Sequence, residues 1–565
     1  PEFKACAVRL TPVSTPPIPT DRSEPRAGVK PDLTGPLLLW ASQTGNAEEF
    51  AGRLGDRLGG ARLHPMDEVE LSDLSGASDV VLVTSTFGDG GPPDNGADFW
   101  ERLQAPQAPS LEGVRFMVLG IGDRSYENFC GHAKSLDARF ADLGATRVLD
   151  RAECESYEDQ PLARWAESVV DLIASPARRP DSAGEPAPPS AVPAQFTRST
   201  PVAAPLCRNT RLTPAAAAKE VRLFGFDISA HDVTYSVGDS LGVYVHNSEH
   251  VVQRWLAATG FSGDESVVVD GAAVSLRHAL ASHYDVCKVT PNLVGFVAEH
   301  CADRGVAKWL RKNRGDLDRW LVNRNGLDLV SEVAVRANPQ LWQEVLVRLT
   351  PRQYSICSSP LVSPHEVQLT VSVVRYRGAD GGPRGGVAST YLADLADGTP
   401  VSVFLQRSPH FRPPRDGRTP MIMVGPGTGI APFRGFLQER RALGHTGANW
   451  LFFGDQYRAQ NFYYRDDLAD MVEDGFLNRL DLAFSRDQRQ RVYVQHKMAD
   501  YGADVWRWLE DGAHFYVCGD AGRMARDVDD ALTEIIRSHG AMSAEAARDY
   551  KRGLVAEKRY VRDVY

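Results

Sequence analysis

Leu37-Leu38-Leu39-Trp40-Ala41-Ser42-Gln43-Thr44-Gly45-Asn46-Ala47 decides the fold class of the first third of the chain. Its large apolar residues run without alternation, as in a strand buried on both faces. The polar turn after them opens a stretch with helical spacing over residues 48–58. The same order returns twice. Residues 80–84 precede Ser85-Thr86-Phe87-Gly88-Asp89-Gly90, and residues 116–119 precede Gly120-Ile121-Gly122-Asp123-Arg124-Ser125-Tyr126 and a helix-like segment over 133–143. Repeated strand, turn and helix predict a doubly wound parallel α/β sheet, with its ligand at the carboxyl ends of the strands.

The first turn places hydroxyls and backbone N–H groups at a helix start, where an anion is held by hydrogen bonds and the helix terminus. It has no lysine or arginine. A nucleoside triphosphate loop would carry a Lys at its end, whereas a flavin monophosphate needs none. Glycines in the other two turns let the backbone approach a planar ring, and Phe87 and Tyr126 are candidates to cover its faces. The competing reading, plain connections and core aromatics, is weakened by three glycine-rich turns sharing one sheet edge. The candidate FMN contacts are Ser42, Gln43, Thr44, Gly45, Asn46, Ala47, Ser85, Thr86, Phe87, Gly88, Gly122, Asp123, Tyr126, Phe129 and Cys130.

The 565 residues exceed one hydrophobic core, and composition marks the joints. Residues 1–35 are rich in Pro, Ser and Thr and read as a flexible lead-in to a domain over 36–176. A Pro/Ala/Ser-rich linker starts near Ala174 and occupies 177–195. Residues 196–415 carry short β-rich segments at 221–228, 240–245, 353–356, 367–375 and 401–404, as in an antiparallel barrel. About residues 248–346 read as a helical insertion within it, with Trp255, Leu256, Leu310, Trp320 and Leu321 at core spacings. Residues 416–565 alternate strand and helix again, predicting a Rossmann-like domain.

Net charge is −10, yet residues 36–176 alone hold 24 acidic and 11 basic side chains, a local balance of −13. That distribution argues against nucleic acid and favours an acidic face docking on a basic partner, or a merely soluble surface. Eight cysteines lack any CxxC pair, which fits a reducing cytoplasm and no metal-thiolate site. No window is apolar enough for a membrane span.

In Arg352-Gln353-Tyr354-Ser355, alternation along a strand gives a cation for a pyrophosphate and an aromatic to pack on a flavin. About thirty residues later, Gly385-Gly386-Val387-Ala388-Ser389-Thr390 opens a helix as a second phosphate cradle. Gly425-Pro426-Gly427-Thr428-Gly429 follows the apolar residues 421–424 and opens another helix, as a dinucleotide turn does. Ser485, Arg486, Arg491, Tyr493 and Gln495 offer the cations and hydroxyls that the 2′-phosphate of NADPH requires, though in isolation the segment reads more readily as a solvated loop. Asp527 is a further nucleotide-site candidate.

Together these motifs resemble the diflavin reductases. The first three turns are similar to their flavodoxin-like domain, and the Arg352 and Gly386 segments to the ferredoxin-NADP reductase family. That resemblance implies FAD contacts from Arg352, Gln353, Tyr354, Ser355, Thr370, Val371, Ser372, Tyr376, Gly386, Val387, Ala388 and Ser389, and from the segment 238–244. It implies nucleotide contacts from Gly427 and Thr428. It further implies that Ser355, Cys518 and Asp563 assist hydride transfer and that Tyr565 is a displaceable lid on the FAD ring. The segments 449–454, 511–520 and 558–565 resemble the flavoprotein subunit of NADPH-sulfite reductases. Two departures stand out: Arg491 where Lys is expected, and Cys287, in a segment read as helical, where relatives offer a hydroxyl.

The opening Pro1-Glu2-Phe3-Lys4-Ala5-Cys6-Ala7-Val8-Arg9-Leu10 resembles the tail of an assimilatory molybdopterin nitrate reductase. A reductase module of a nitrate-assimilating fusion and a stand-alone sulfite reductase flavoprotein are therefore both open. Either way the resemblance implies a haem- or molybdenum-containing reductase as acceptor, no nucleic acid or membrane partner, and an oligomer formed through the acceptor. A single-flavin shuttle, or a module for another soluble haem partner, is the alternative. No membrane anchor or calmodulin-type basic helix is evident.

Overall fold

The computed structural model describes residues 35–42, 45–87, 90–123, 128–155, 159–174, 196–312 and 314–565. Gln43, Thr44, Gly88, Tyr126, the opening decapeptide, nearly all of the expected lead-in and the linker lie outside the described residues.

The first sheet is wholly parallel, with Arg62–Pro65, Leu37–Ala41, Asp79–Ser85 and Arg115–Gly122 in that order. Thr146–Arg147 and Ala152–Glu155 both pair with the last of these. Strand order reverses direction at Leu37–Ala41, so the turns after it and after Asp79–Ser85 flank a topological switch point. The unbroken apolar run is explained by burial on both sides. Leu38 and Trp40 pack toward helices Asn46–Leu58 and Asp159–Ala174, while Leu37 and Leu39 join a core with Phe99 and Phe140 of helices Asp94–Gln104 and Gly131–Asp142. Each such leucine contributes about 1.5–3 kcal/mol on burial. Arg62–Pro65, Thr146–Arg147 and Ala152–Glu155 went unread in the sequence, being short and mostly polar.

The second sheet is antiparallel, in the order Arg352–Ser355, Ser240–Val243, Pro400–Gln406, Val202–Arg211, Glu220–Asp227, Glu366–Val373. Its two edge strands come together where Ile356 pairs with Leu369 and the Cys357 N–H donates to Gln368 O at 2.8 Å, so the sheet curls upon itself. The expected strand over 367–375 is two strands, Glu366–Val373 and Arg375–Arg377. Among the described residues, the insertion holds seven helices between Glu249 and Val345 and a hairpin, Ser266–Val269 with Ala272–Ser275. It has its own core, in which Trp255 and Trp342 meet edge to face at 5.2 Å. Trp255, Leu256 and Leu310 are buried as expected, whereas Trp320 and Leu321 only pack against the periphery. Cys287 lies in the connection between helices Leu276–Ser282 and Pro291–His300, not in a helix.

The third sheet is parallel, with Arg479–Phe484, Asn449–Asp455, Met421–Val424, His514–Gly519 and Tyr560–Val564 in order. The last strand is the chain end, and its register sets Cys518 opposite Asp563. Apolar residues of the second sheet region, Val221, Val237 and Phe411, share one core with this sheet's Met423 and Tyr516 and with Phe433 of helix Ala431–Ala442. The second and third sheets thus meet over a continuous dry surface.

Candidate functional site

The carboxyl edges of the two parallel sheets and one end of the antiparallel sheet face one cavity of about 1040 Å³. At its first-sheet end, Gly45 sits at φ 82 before helix Asn46–Leu58, whose first turn carries Glu48 and Glu49 and no cation. The Ser42 N–H donates to Asn95 Oδ1 at 2.9 Å, and the Ala47 N–H to Ser42 Oγ at 3.2 Å, which folds the turn around the helix start. Ser42, Gly45, Asn46, Ser85, Thr86, Phe87, Gly122, Asp123, Phe129 and Cys130 line the cavity. Ala47 does not: its methyl is in the core. Gly122 is required by packing, because a Cβ there would stand 2.9 Å from Cys130 Sγ and 3.0 Å from the Phe129 ring. Cys130 itself is buried at φ 51, a conformation uncommon for a residue with a Cβ. These features fit a flavin monophosphate: a helix start behind a hydroxyl-bearing turn for the phosphate and close glycine and aromatic walls for a ring.

Arg352, Tyr354 and Ser372 line both this cavity and a second one of about 470 Å³. The smaller cavity is completed by Tyr376, Gly386, Val387, Ala388 and Ser389, with Cys287, Lys288 and Asn325 from the insertion. Arg352 is held by Thr350 Oγ1 at 2.5 Å, and burial pushes the Tyr354 phenol up to about 12, so it stays neutral. Ser389 Oγ accepts the Val374 N–H at 3.1 Å and so anchors the cradle rather than facing solvent. Gln353, Thr370 and Val371 line the larger cavity, although the Thr370 hydroxyl is already engaged, 2.6 Å from Tyr464 Oη. A pair of cavities joined at Arg352 and Tyr354 suits an FAD laid across the strand end, with its pyrophosphate at the start of helix Val387–Asp394.

Ser355 and Asp563, 208 positions apart in sequence, meet here: Ser355 Oγ donates to Asp563 Oδ2 at 2.7 Å. The Cys518 thiol lies 3.8 Å from the same oxygen. Burial raises the Asp563 carboxyl, opposed by these two donors, and burial with the neighbouring carboxylate holds the Cys518 thiol well above its ordinary range. The thiol is therefore protonated at neutral pH. Tyr565 is pinned through its main chain, its N–H to Gly519 O and its carbonyl to the Ala521 N–H, both at 3.0 Å. Its ring is 57% exposed beside the cavity, and its hydroxyl touches Thr428 Oγ1 at 3.1 Å.

The glycine turn is dictated by contact. A Cβ on Gly429 would stand 2.1 Å from Cys518 O, whereas Gly427, at φ 60, has nothing nearer than 3.5 Å and leaves the crest open. Ser485, Arg486, Arg491, Tyr493 and Gln495 gather after strand Arg479–Phe484 and outside the large cavity. Ser485 Oγ donates to Asp455 O at 3.2 Å, and Gln495 Nε2 to Asp527 Oδ2 at 3.0 Å. Arg486 and Arg491 are exposed, open to an anion.

Sequence reasoning missed Asn95, Arg198, Phe404 and His410, which also line the large cavity. Nothing local marks them. Asn95 acts across 53 positions, and His410 reaches Glu48 at 2.9 Å and the Trp40 ring at 5.3 Å from another sheet. Among the described residues no helix is long and apolar enough to cross a membrane, and no cluster of His, Cys, Asp or Glu could hold a metal.

Comparison with known families matches residues 38–164 to flavodoxin, 194–391 to an FAD binding domain and 423–530 to an oxidoreductase NAD-binding domain. These matches assign FMN, FAD and NADPH to the first, second and third sheets. The chain is 38% identical to the sulfite reductase (NADPH) flavoprotein alpha-component of Aliivibrio fischeri, over 95% of its own length and 91% of the relative's. Its counterpart in Yersinia enterocolitica is also 38% identical, with 96% and 92% covered. That of Klebsiella pneumoniae is 39% identical, with 94% and 89% covered. The chain belongs to the NADPH-dependent diflavin reductases, in the family of the sulfite reductase flavoprotein alpha-components.

Proposed function

We propose that this reductase delivers electrons drawn from NADPH to the haemoprotein of a sulfite reductase, and that Ser355, Cys518, Asp563 and Tyr565 form the hydride-transfer end of its cavity. The observation that carries this reading is the single cavity running from the Ser42–Asn46 turn to Tyr565, which brings both flavin beds within one enclosure. Bound FAD and FMN supply the conversion of a two-electron donor into one-electron deliveries. The protein's part is positioning and exclusion of charge. Asp563 accepts from Ser355 and fixes its hydroxyl, and the protonated Cys518 thiol adds no charge of its own where a nicotinamide docks. Tyr565 occupies that place until displaced. The 2′-phosphate is taken by Ser485, Arg486, Arg491 and Tyr493, with Gln495 held by Asp527.

The acidic balance of residues 36–176 supports docking of the first unit on a basic partner once it swings away. We place the activity in the cytoplasm, since the eight cysteines are scattered without a CxxC pair. Extraction of the native protein should yield FMN and FAD in equal amounts, and NADPH with added sulfite reductase haemoprotein should give sulfide. Nitrate reduction with a molybdenum enzyme, and no sulfide, would overturn this choice of acceptor and favour the relationship of the opening decapeptide, which lies outside the described residues.

A further inference from the structure

We propose that Arg434, braced by Tyr464, is a positioning residue for hydride transfer that sets the spacing between the flavin bed and the nucleotide turn. The inference rests on the assignment of Ser355, Asp563 and Tyr565 to that step. Arg434 lies one turn into helix Ala431–Ala442, which begins directly after the Gly427–Ile430 turn, so a shift of this helix moves the turn with it. The arginine side chain is only 13% exposed. One of its terminal nitrogens donates at 2.9 Å to both Cys357 O and Gln368 Oε1. Cys357 follows Ser355 by two positions, and Gln368 shares strand Glu366–Val373 with the cavity-lining Thr370, Val371 and Ser372.

Its nearest carboxylate, Asp467, is 3.5 Å away and half-exposed. The closest partners are thus neutral acceptors, so direction matters more than charge, and a planar fork meets that need where an ammonium does not. Tyr464 braces the arrangement from below. Its ring centroid lies 4.6 Å from the guanidinium, and its hydroxyl is 2.6 Å from Thr370 Oγ1 and 3.9 Å from Cys357 Sγ. Tyr464 adopts φ 55, a conformation disfavoured for a bulky residue and held here by these contacts. The same helix is joined to the same segment elsewhere. Ser359 donates through its N–H to Gln438 Oε1 at 3.0 Å and through Oγ to Glu439 Oε2 at 2.9 Å, and a Cβ on Gly435 would approach Ser358 O to 3.2 Å. Arg434 is the member of this seam nearest the nucleotide turn in sequence.

The transferred hydride carries two electrons from the reduced nicotinamide to FAD, leaving the oxidised nucleotide, and its rate falls steeply when donor and acceptor separate. The test uses the full chain with both flavins, mixed anaerobically with NADPH or with NADPH deuterated at the transferred position. For Arg434→Lys we expect FAD reduction at saturating NADPH to slow about tenfold, with a larger isotope effect. The half-saturating NADPH concentration and the flavin content should change less than about threefold. Tyr464→Phe should shift the same readouts in the same direction by a smaller factor, and decides alone if Arg434→Lys does not fold. An unchanged rate per bound FAD, even with a lowered melting temperature, would overturn the positioning role. Wild-type protein that NADPH cannot reduce would overturn the functional assignment as well.

Discussion

The second sheet meets its two neighbours in opposite ways. Against the third sheet it buries a shared apolar core, a mostly buried arginine bound to main-chain and side-chain carbonyls, and glycines in contact with backbone. The first sheet is instead tied to the rest by polar pairs between partly exposed side chains: Glu48 with His410, Asp123 with Lys288 and Glu68 with Lys558, at 2.9, 2.9 and 3.1 Å. Exposed pairs contribute about 0–1 kcal/mol each and weaken with salt, whereas a packed core does neither. The difference teaches how one chain handles two transfers. Hydride transfer needs a fixed geometry, and single-electron delivery to an outside acceptor needs a unit that can leave.

The sharpest way to break the rigid side is at its chemistry. Asp563→Ala should slow reduction of FAD by NADPH about 100-fold in stopped flow while both flavins stay bound; a rate within twofold of wild type would remove Asp563 from the step. Next comes Gly429→Ala, whose methyl would collide with Cys518 O. It should lower the stability of the third unit by about 1–3 kcal/mol and weaken NADPH binding, read by calorimetry and titration.

On the loose side, acid provides a handle. Burial lowers the His132 imidazole to about 4, and neither ring nitrogen has a partner in the structure. Its folded value lies below the ordinary 6.5, so the stability it contributes is complete above pH 6.5 and is lost as pH falls toward 4. His514 of the third sheet is lowered to about 4 as well, so acid alone weakens both units. His132→Leu should therefore recover about 2 kcal/mol for the first unit only, measured as FMN release against pH. The smallest stability change belongs to the ion pairs. Lys558→Ala should cost less than about 1 kcal/mol, yet raising salt from about 0.05 to 0.5 M should slow electron passage to FMN severalfold and leave FAD reduction by NADPH unchanged. Equal salt sensitivity of both steps would erase the distinction between the two seams.

Much of the fold was legible because local pattern carries it. An apolar run followed by a glycine turn and a helix identified the carboxyl edges of both parallel sheets, and every described turn assigned a cofactor lies on a cavity or beside the third sheet's carboxyl edge. What stayed hidden depends on contacts between distant segments. Strand Val202–Arg211 alternates weakly and carries a bulge between Leu206 and Arg208, so periodicity gave no signal. The strand Tyr560–Val564 reads as a charged tail, and only pairing with His514–Gly519 makes Asp563 a neighbour of Cys518 and Ser355. Those three residues were reached through family resemblance alone. The bracing by Arg434 and Tyr464 was invisible, since an arginine after a glycine turn reads equally well as a solvated helix face.

The two flavins form a relay in series, with the first unit's flavin as the exit. Its most direct test is removal and restoration of FMN. Protein stripped of FMN but not FAD should be reduced by NADPH at the wild-type rate while passing almost nothing to the sulfite reductase haemoprotein, and added FMN should restore delivery. Undiminished delivery without FMN would contradict the relay.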